Sequence, residues 1–363
     1  MEIQPLDRVS IAADTIGDVR RHAVAAVAAA GDFDVVHAEL GGSALRELYA
    51  ARAVVRAGGP PVVLTAHDPP RLAWRPFHTA AVREHRSLRA VAALAGDRPA
   101  RRLEREVARG ATVIFVLSRR GTERAAAALG GGARFVTLPY PCDPYPARPA
   151  SDYGMGDPEP GGSLLLGFYG YWYGGKGIEL LLEALALLSG DDGRPPVRLA
   201  LWGGPPAGGG ARAGERYRAK ILATVDRLGL AGHVDPLGPL PAADVRARLG
   251  ACDAIVLPYT ERRTAAGLVS ISSVVFDALA AGTPVVASDA RAIAETIDAG
   301  VDGLTVPPGD VDALAAALRR LRDEPVLRAR LRAGAAARAR TLGLAETGRC
   351  AAGVYEDVAR PRG

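Results

Sequence analysis

The sequence predicts an α/β fold with two doubly wound parallel sheets, each in its own domain. Short β-branched runs alternate with longer runs of Ala, Leu and Arg that have helical period. Apolar strands between such helices are typical of a parallel sheet that is covered on both faces. The alternation breaks once, in the Pro-, Gly- and Asp-rich stretch 139–162, and then restarts. A chain of 363 residues also has the length of two ordinary domains.

The N-terminal domain is predicted to span residues 1–145, and a linker is predicted at 146–162. A Pro-rich surface loop inside one domain is the alternative to a linker. A further first strand is predicted at Arg8–Ala12. The main strands are predicted at Asp34–Ala38, Val62–Thr65, Thr112–Leu117 and Arg134–Leu138, with helices over 18–30, 43–57, 100–109 and 119–129.

The C-terminal domain is predicted to span residues 163–340 and to contain six strands. Residues 341–363 are expected to form a last helix, with packing back on the N-terminal domain as one option. Ligands of doubly wound sheets bind outside the carboxyl ends of the strands, where the strand order reverses. The strands are predicted at Ser163–Tyr169, Val197–Trp202, His233–Leu237, Ala254–Leu257, Pro284–Ser288 and Leu304–Val306. Helices are predicted at Ile178–Leu188, Glu215–Leu228, Pro241–Leu249, 272–281, 291–299, 310–322, 325–341 and 345–358.

Composition limits the class of protein. No run approaches the roughly 18 apolar residues of a membrane span, and the first residues lack the order of a secretory signal, so we expect a cytoplasmic chain. Cys142, Cys252 and Cys350 form no CxxC pair and no metal-ligand cluster. The net charge is +5, and residues 71–125 hold 13 arginines against 5 acidic residues. This basic region is either a solvated surface, which we favour, or a peripheral contact to the inner face of a membrane. No nucleic-acid partner is expected.

A Gly-rich segment with one lysine follows the first strand of the C-terminal domain. It reads GFYGYWYGGKGI from Gly167 and ends where a helix begins. Glycines let backbone amides approach an anion, the helix N-terminus adds partial positive charge, and Lys176 supplies a full charge. The pattern favours a diphosphate site, with a tight turn and a solvated lysine as the alternative. The spacing is not that of a Walker loop, which disfavours a nucleoside triphosphatase.

Hydroxyl groups and one acidic residue mark the start of a later helix. Ser270, Ser272 and Ser273 open the helix predicted over 272–281, and their hydroxyls and amides suit phosphate oxygens. Asp277 follows in the apolar run VVFDALAAG, where a carboxylate needs a polar partner. A ribose diol is such a partner. A group of N-capping serines with a surface-facing aspartate is the alternative.

An ordered series of motifs runs along nearly the whole chain. DVVHAEL, VVLTAHDPP and VIFVLSRRGTERA come first, followed by GYWYGGKGIELLLEAL, VRLALWGGP and HVDPLGPLPAADVRARLGACDAIVLP. The last motif, from Phe276, is FDALAAGTPVVASDARAIAETIDAGVDGLTVPPGDVDALAAAL. The series resembles the retaining glycosyltransferases of family 4, known as glycosyl transferases group 1. That resemblance implies the GT-B fold, in which two Rossmann-like domains face a central cleft.

The resemblance also implies roles for individual residues. Lys176 would contact the donor diphosphate and, with His67, form the catalytic pair; His67 ends the strand VVLTAH and would face the donor sugar. Asp277 would hold the ribose, Ser272 and Ser273 would lend amides to the phosphates, and Gly238 would lie near the base. The other donor-side candidates are Gly170, Tyr171, Gly203, Glu261 and Ser270. The acceptor-side loop would contain Gly41, Gly42, Ser43 and Asp68.

The sequence departs from the family pattern in three places. Tyr171 stands where an arginine often precedes the lysine by five positions, and Arg262 or Arg263 would have to compensate. Val269 stands where the first of two glutamates is usual, with Glu261 as a substitute. At the N-terminus no Gly-Gly loop follows the first strand. Either the loop at 41–43 takes its place, or the first βα unit is lost, or the start site is placed too late.

The expected activity is a metal-independent sugar transfer with retention, from a nucleoside-diphosphate sugar to an acceptor. No cofactor is expected, and the acceptor is left open among a lipid, a polysaccharide and a natural product. Two alternatives remain. One is a catalytically degenerate GT-B protein that binds a nucleotide sugar or acts as a partner subunit. The other, less favoured because no facing pair of carboxylates is evident, is a sugar-nucleotide epimerase.

Overall fold

The computed structural model describes residues 16–41, 45–72, 98–144, 163–189, 196–204, 211–260, 271–290 and 292–360. The strand predicted at Arg8–Ala12 and the linker predicted at 146–162 lie outside these ranges. Contacts divide the chain into two compact units. The first comprises Met1–Pro139, Arg263–Ile271 and Thr347–Gly363, and the second comprises Tyr140–Arg262 and Ser272–Glu346.

The first unit contains a parallel sheet in the order β1-β2-β3-β4. Its strands are β1 Val36–Leu40, β2 Val62–Ala66, β3 Val113–Val116 and β4 Arg134–Thr137, and its helices are α1 Ile16–Ala30, α2 Leu45–Arg56, α3 Arg98–Gly110 and α4 Arg119–Leu129. Every residue of the two central strands, β2 and β3, is buried. Continuous β-branched and aromatic runs form these strands because helices cover both faces of the sheet.

The C-terminal helix α12, Leu344–Ala359, supplies part of that cover. Val354 on α12 is 9% exposed and packs in a cluster with Val63, Val113 and Phe115 of the central strands. Tyr355 meets the ring of Phe115 edge-on, with 6.0 Å between the ring centroids. The last helix therefore belongs to the core of the first unit, although the chain reaches it only after the second unit is complete.

The second unit contains a six-stranded parallel sheet in the order β10-β9-β8-β5-β6-β7. Its strands are β5 Leu164–Tyr171, β6 Val197–Gly204, β7 Val234–Gly238, β8 Ala254–Leu257, β9 Val285–Ser288 and β10 Gly303–Val306. Its helices are α5 Ile178–Ser189, α6 Ala211–Arg227, α7 Ala242–Ala251, α8 Ser273–Ala280, α9 Ile293–Thr296, α10 Val311–Asp323 and α11 Pro325–Thr341. This is the Rossmann strand order, and it reverses between β5 and β8. The predicted fold class is confirmed.

Several element boundaries differ from the prediction, and two of them have a clear structural cause. The helix predicted over 291–299 is a single turn, α9, because residues 298–302 form a turn instead. The Asp302 carboxylate accepts from the Asp298 backbone amide at 2.7 Å, and Gly300 has a φ of +85°. Strand β5 also continues two residues beyond the predicted end, because Gly170 and Tyr171 pair with Gly203 and Gly204 of β6.

Candidate functional site

Two loops meet where the strand order of the second unit reverses. One loop follows β5 and ends at Gly177, and the other follows β8 and begins at Pro258. The backbone amide of Thr260 donates to the Gly175 carbonyl at 3.1 Å. A Cβ atom at Gly177, which has a φ of +70°, would lie 1.8 Å from the Pro258 carbonyl oxygen. Glycine is required at position 177 both by the backbone conformation and by this close approach.

Lys176 lies at this meeting point. Its ammonium nitrogen is 3.9 Å from the centroid of the Tyr259 ring and 5.4 Å from that of Tyr173. Its backbone amide donates to the Tyr173 carbonyl at 3.2 Å. The predicted diphosphate-binding lysine is thus placed at the switch point, two residues before α5 begins. Its cationic group rests on the face of an aromatic ring.

The predicted donor-side glycines lie at the carboxyl ends of neighbouring strands. Gly170 in β5 and Gly203 in β6 have φ values of +133° and +116°, and a Cβ at Gly203 would lie 1.9 Å from the Gly170 carbonyl oxygen. Gly238 ends β7 with a φ of +72°. Tyr171, at the family's arginine position, is 56% exposed. The edge therefore combines close backbone packing with an exposed phenol.

Helix α8 begins beside the same loops. Ser272 precedes the helix as its N-cap residue, but its side chain makes no capping hydrogen bond. The buried Ser272 hydroxyl instead pairs with the Tyr259 hydroxyl at 3.1 Å. Ser273, the first helical residue, is exposed. The structure therefore links the start of α8 to the ring that carries Lys176.

Asp277 is half-buried, one turn into α8. Burial raises the pKa of its carboxyl above the ordinary value, and the positive charge of Arg246 opposes that rise. Burial raises the pKa of Cys142 to about 11 and also raises the pKa of Tyr169. The negative charge of Asp277 contributes to both rises. The carboxylate therefore lies in a partly desolvated region near the end of β5.

Some predicted site residues lie outside the described ranges. They are Gly42, Ser43, Glu261 and Ser270, together with the compensating Arg262 and Arg263 and the departure at Val269. Their roles stay predictions.

A second group of polar residues lies at the carboxyl ends of β1 and β2 in the first unit. The Nε2 atom of His67 is 2.7 Å from an oxygen of Glu39. That hydrogen bond raises the pKa of His67 above its ordinary value, and the nearby charge of Asp68 adds to the rise. Gly41 approaches this histidine closely, since a Cβ there would lie 2.9 Å from the His67 Cβ.

Glu39 and His37 belong to this polar group, although neither was among the candidate residues predicted from the sequence. His37 Nε2 is 2.8 Å from the Thr65 hydroxyl oxygen, and its Nδ1 is 2.7 Å from the Tyr355 hydroxyl oxygen. The motif His-x-Glu in DVVHAEL indicates that His37 and Glu39 lie on the same face of the strand, because residues two apart on a strand share a face. The partner of Glu39 on the neighbouring strand could not be read from that motif alone.

Two kinds of feature are absent from the described part of the chain. It has no cluster of three or more His, Cys, Asp or Glu side chains arranged to hold a metal ion. None of its helices combines the length and the apolar character needed to cross a membrane.

Comparison with known proteins identifies the second unit. Residues 163–324 match the family described as Glycosyl transferases group 1. The match covers somewhat less than half of the chain. The 2-deoxystreptamine glucosyltransferase of Streptomyces kanamyceticus is 28% identical over 309 residues, which cover 83% of this chain and 71% of that protein. The D-inositol 3-phosphate glycosyltransferase of Thermomonospora curvata is 36% identical over 188 residues, or 51% of this chain and 40% of the relative.

Solved structures share the fold of this chain. HepE of Anabaena in complex with UDP has a TM-score of 0.70 at 20% identity, with coverage of 92% of this chain and 82% of that one. Sucrose-phosphate synthase of Thermosynechococcus elongatus has a TM-score of 0.71 at 19% identity, with coverage of 94% and 78%. The chain therefore shares the GT-B fold with these proteins.

Proposed function

We propose that the chain transfers a sugar from a nucleoside-diphosphate sugar to an acceptor hydroxyl. One arrangement carries this function: the lysine loop after β5, the loop after β8 and the start of α8 converge at the switch point of the second sheet. Ligands of doubly wound sheets bind at this position. In support, HepE of Anabaena, which shares the fold, is known in complex with UDP and with UDP-glucose.

The charges at this position suit a departing diphosphate. When the bond between the sugar and the β-phosphate breaks, negative charge builds up on the phosphate oxygens. Lys176 supplies a full positive charge, and the N-terminus of α8 supplies partial charge and backbone donors. Groups held in place before the reaction stabilise such charge without a cost of reorganisation. Asp277, one turn further along α8, would accept the hydroxyl hydrogens of the ribose.

Nucleotide binding tests this site directly. We expect calorimetry to give saturable binding of UDP or GDP to the wild-type chain. Lys176→Ala should weaken binding by about 10- to 100-fold, as expected for a charged hydrogen bond worth roughly 1.5–3 kcal/mol. Asp277→Asn should weaken the nucleoside diphosphate and the nucleoside alike, since both carry the ribose.

Lys220 offers a matched control for the loss of a lysine. It is the second of the two lysines in the chain, and its ammonium pairs with Glu179 at 2.9 Å. Lys220→Ala should leave nucleotide affinity unchanged. Equal losses in Lys176→Ala and Lys220→Ala would contradict a specific site at the switch point.

A donor-binding protein without turnover is the second candidate. The exposed phenol of Tyr171 favours it, because a phenol supplies no positive charge where family members often have arginine. The two candidates give different results with a hydrolysable donor. Tight nucleotide binding without product in any acceptor assay would favour the binding protein.

The acceptor is proposed from the relatives. The names of the two relatives described above specify 2-deoxystreptamine and D-inositol 3-phosphate. The name of a third relative, a mannosyltransferase of Mycolicibacterium smegmatis, specifies phosphatidylinositol monomannoside. We propose a polyhydroxylated acceptor of this kind, and an acceptor panel should begin with these three compounds. The nucleoside diphosphate that binds in calorimetry identifies the base of the sugar donor to be used in that panel.

We also propose transfer with retention and without a metal ion. The resemblance of the ordered motifs to family 4 supports retention. Metal independence is supported by Lys176 and the N-terminus of α8, which would supply positive charge to the diphosphate in place of a metal ion. The anomeric proton coupling of the product should match that of the donor. Turnover should be the same in EDTA and in Mg²⁺, and a strict need for Mg²⁺ would contradict the second expectation.

We propose a cytoplasmic chain, with peripheral membrane contact through its basic region as a testable extension. Exposed arginines repeat at four-residue spacing along α3, at Arg101, Arg105 and Arg109. Anionic vesicles should then sediment the wild-type chain at low salt. The double variant Arg101→Gln/Arg105→Gln should bind less, while a pair with the same charge change on α6, Arg216→Gln/Arg227→Gln, should not. Equal losses of vesicle binding in the two double variants would mean that binding depends on net charge alone and not on the arginines of α3.

A further inference from the structure

The ammonium group of Lys176 lies over the face of a buried aromatic ring. Its nitrogen lies 3.9 Å from the centroid of the Tyr259 ring, within the range of a cation–π contact. Tyr259 is 1% exposed, so its ring cannot swing away into solvent. A ring face attracts the ammonium without neutralising it. The contact therefore orients the lysine without cancelling its positive charge.

The Tyr259 ring is itself fixed at both ends. Its backbone lies between Pro258, which packs on Gly177, and Thr260, whose amide donates to the Gly175 carbonyl. Its hydroxyl pairs with the buried hydroxyl of Ser272 at the start of α8. The ring thus joins the lysine loop, the loop after β8 and the helix N-terminus.

Fixing a lysine in advance has a physical benefit for binding. A free lysine side chain loses up to about 2 kcal/mol of rotamer entropy when a ligand immobilises it. A side chain that already rests on a ring has lost part of that freedom before the ligand arrives. The ring also sets the direction from which the ammonium meets the ligand.

We propose that Tyr259 is the positioning residue for Lys176, and that it aligns the lysine with the N-terminus of α8 as a single diphosphate-binding unit. This role rests on the donor site proposed above. The Tyr259 ring does the positioning, while the hydroxyl ties the ring to Ser272. Tyr173 of the Gly-rich loop lies farther from the ammonium, at 5.4 Å, whereas Tyr259 comes from the loop after β8. The Gly-rich motif alone therefore does not reveal the contact with Tyr259.

Nuclear magnetic resonance can detect the contact without any ligand. The chain has only two lysines, so reductive methylation with ¹³C gives two lysine signals, assigned with Lys176→Arg. We expect the Lys176 signal to be shifted upfield by the ring current in the wild type and in Tyr259→Phe. Tyr259→Leu should move it to the position of an exposed lysine. An unshifted Lys176 signal in the wild type would overturn the contact.

Calorimetry tests what the contact does. Tyr259→Leu should weaken binding of the nucleoside diphosphate by about 2- to 30-fold, the range of a cation–π contact. Binding of the matching nucleoside, which has no phosphate, should stay unchanged. Tyr259→Phe, which keeps the ring, should remain within about 3-fold of the wild type. Thermal unfolding of each variant separates this effect from a general loss of fold.

A double-mutant cycle gives the decisive comparison. In the Lys176→Ala background, Tyr259→Leu should cause no further loss of diphosphate affinity, because the residue acts through the lysine. An equal loss in both backgrounds would overturn the positioning role while leaving the donor site intact. A wild-type chain that binds no nucleoside diphosphate would overturn the donor site itself, and with it the role of Tyr259.

Discussion

His67 and Glu39 form a charged pair on neighbouring strands of the first unit. The pKa of His67 is raised by its hydrogen bond to Glu39, and the pKa of Glu39 is lowered mainly by the same bond, against the effect of burial. A raised histidine pKa contributes stability at low pH that is lost as pH rises through the raised value. A lowered carboxyl pKa contributes stability at high pH that is lost as pH falls through the lowered value. The stabilising contribution of the pair is therefore fully present between pH 4.5 and pH 6.5, the ordinary pKa values of the two side chains.

Removing the Glu39 charge should lower the pKa of His67. We expect Glu39→Gln to shift the proton titration of the His67 ring to lower pH, as measured by NMR with His67→Gln for assignment. The cost in stability should stay below about 1 kcal/mol at pH 5.5, because both side chains are partly exposed, and it should shrink above pH 7. Asp68 and His37 also face this pair, so a residual shift is expected.

Glu106 offers a control in the same unit. It pairs with Arg52 and Arg56 at 3.0 Å and 2.7 Å, and Glu106→Gln removes a carboxylate charge of the same size. The His67 titration should not move in that variant. A similar shift in both variants would mean that the pair responds to net charge rather than to its own hydrogen bond.

The individual residues differ in how far the sequence could predict them. The location of Lys176 at the edge of the sheet was predictable, because a Gly-rich loop between a strand and a helix lies at the carboxyl end of that strand. Tyr259 and Glu39 were not, because each acts on a residue from another strand, and which strands are neighbours is decided by the order of the sheet. That order brings β5 beside β8 although 82 residues separate Tyr171 from Ala254.

The loop between β5 and α5 is the element on which the donor site depends. Its last glycine, Gly177, packs against the backbone of the loop after β8. A shift of one loop therefore requires a shift of the other. Gly177→Ala should destabilise the second unit by about 1–3 kcal/mol, because the new Cβ meets a carbonyl oxygen and the φ is positive. Nucleotide affinity should fall as well, and urea denaturation with calorimetry measures both.

Gly174 in the same loop provides the matched control. A Cβ there has no atom within 4 Å, and its φ is outside the positive range. Gly174→Ala should therefore stay within about 0.5 kcal/mol of the wild type. Equal destabilisation by the two substitutions would contradict the close packing of the loops.

Elements were predictable where their pattern is continuous. Strands β2, β3, β8 and β9 are apolar runs bounded by turns, and the predicted strands overlap all four. The helix predicted over 291–299 was wrong, because its apolar spacing continues past the point where Asp302 accepts from the Asp298 amide and closes a turn. A side chain that bonds to the backbone ends an element without altering its hydrophobic period.

At the scale of the whole molecule, the chain returns to its first unit to complete it. Helix α12 brings Val354 and Tyr355 against β2 and β3, which are far away in sequence. The predicted boundary at residue 341 marks where a last helix begins, but helical period alone does not show which sheet it covers. The N-terminal sheet is thus partly covered by a helix that follows the whole second unit in sequence.

This arrangement predicts that a substitution in the buried face of α12 will lower the stability of the first sheet. Val354→Ala removes buried methyl groups and should cost about 1–2 kcal/mol, seen as faster amide exchange in β2 and β3 than in the second unit. Glu356→Ala, on the exposed side of the same helix, should leave exchange unchanged. Donor binding should survive Val354→Ala, because the proposed donor site lies in the second unit. Loss of protection in β5 and β8 at the same rate would instead mean that the two units unfold as one.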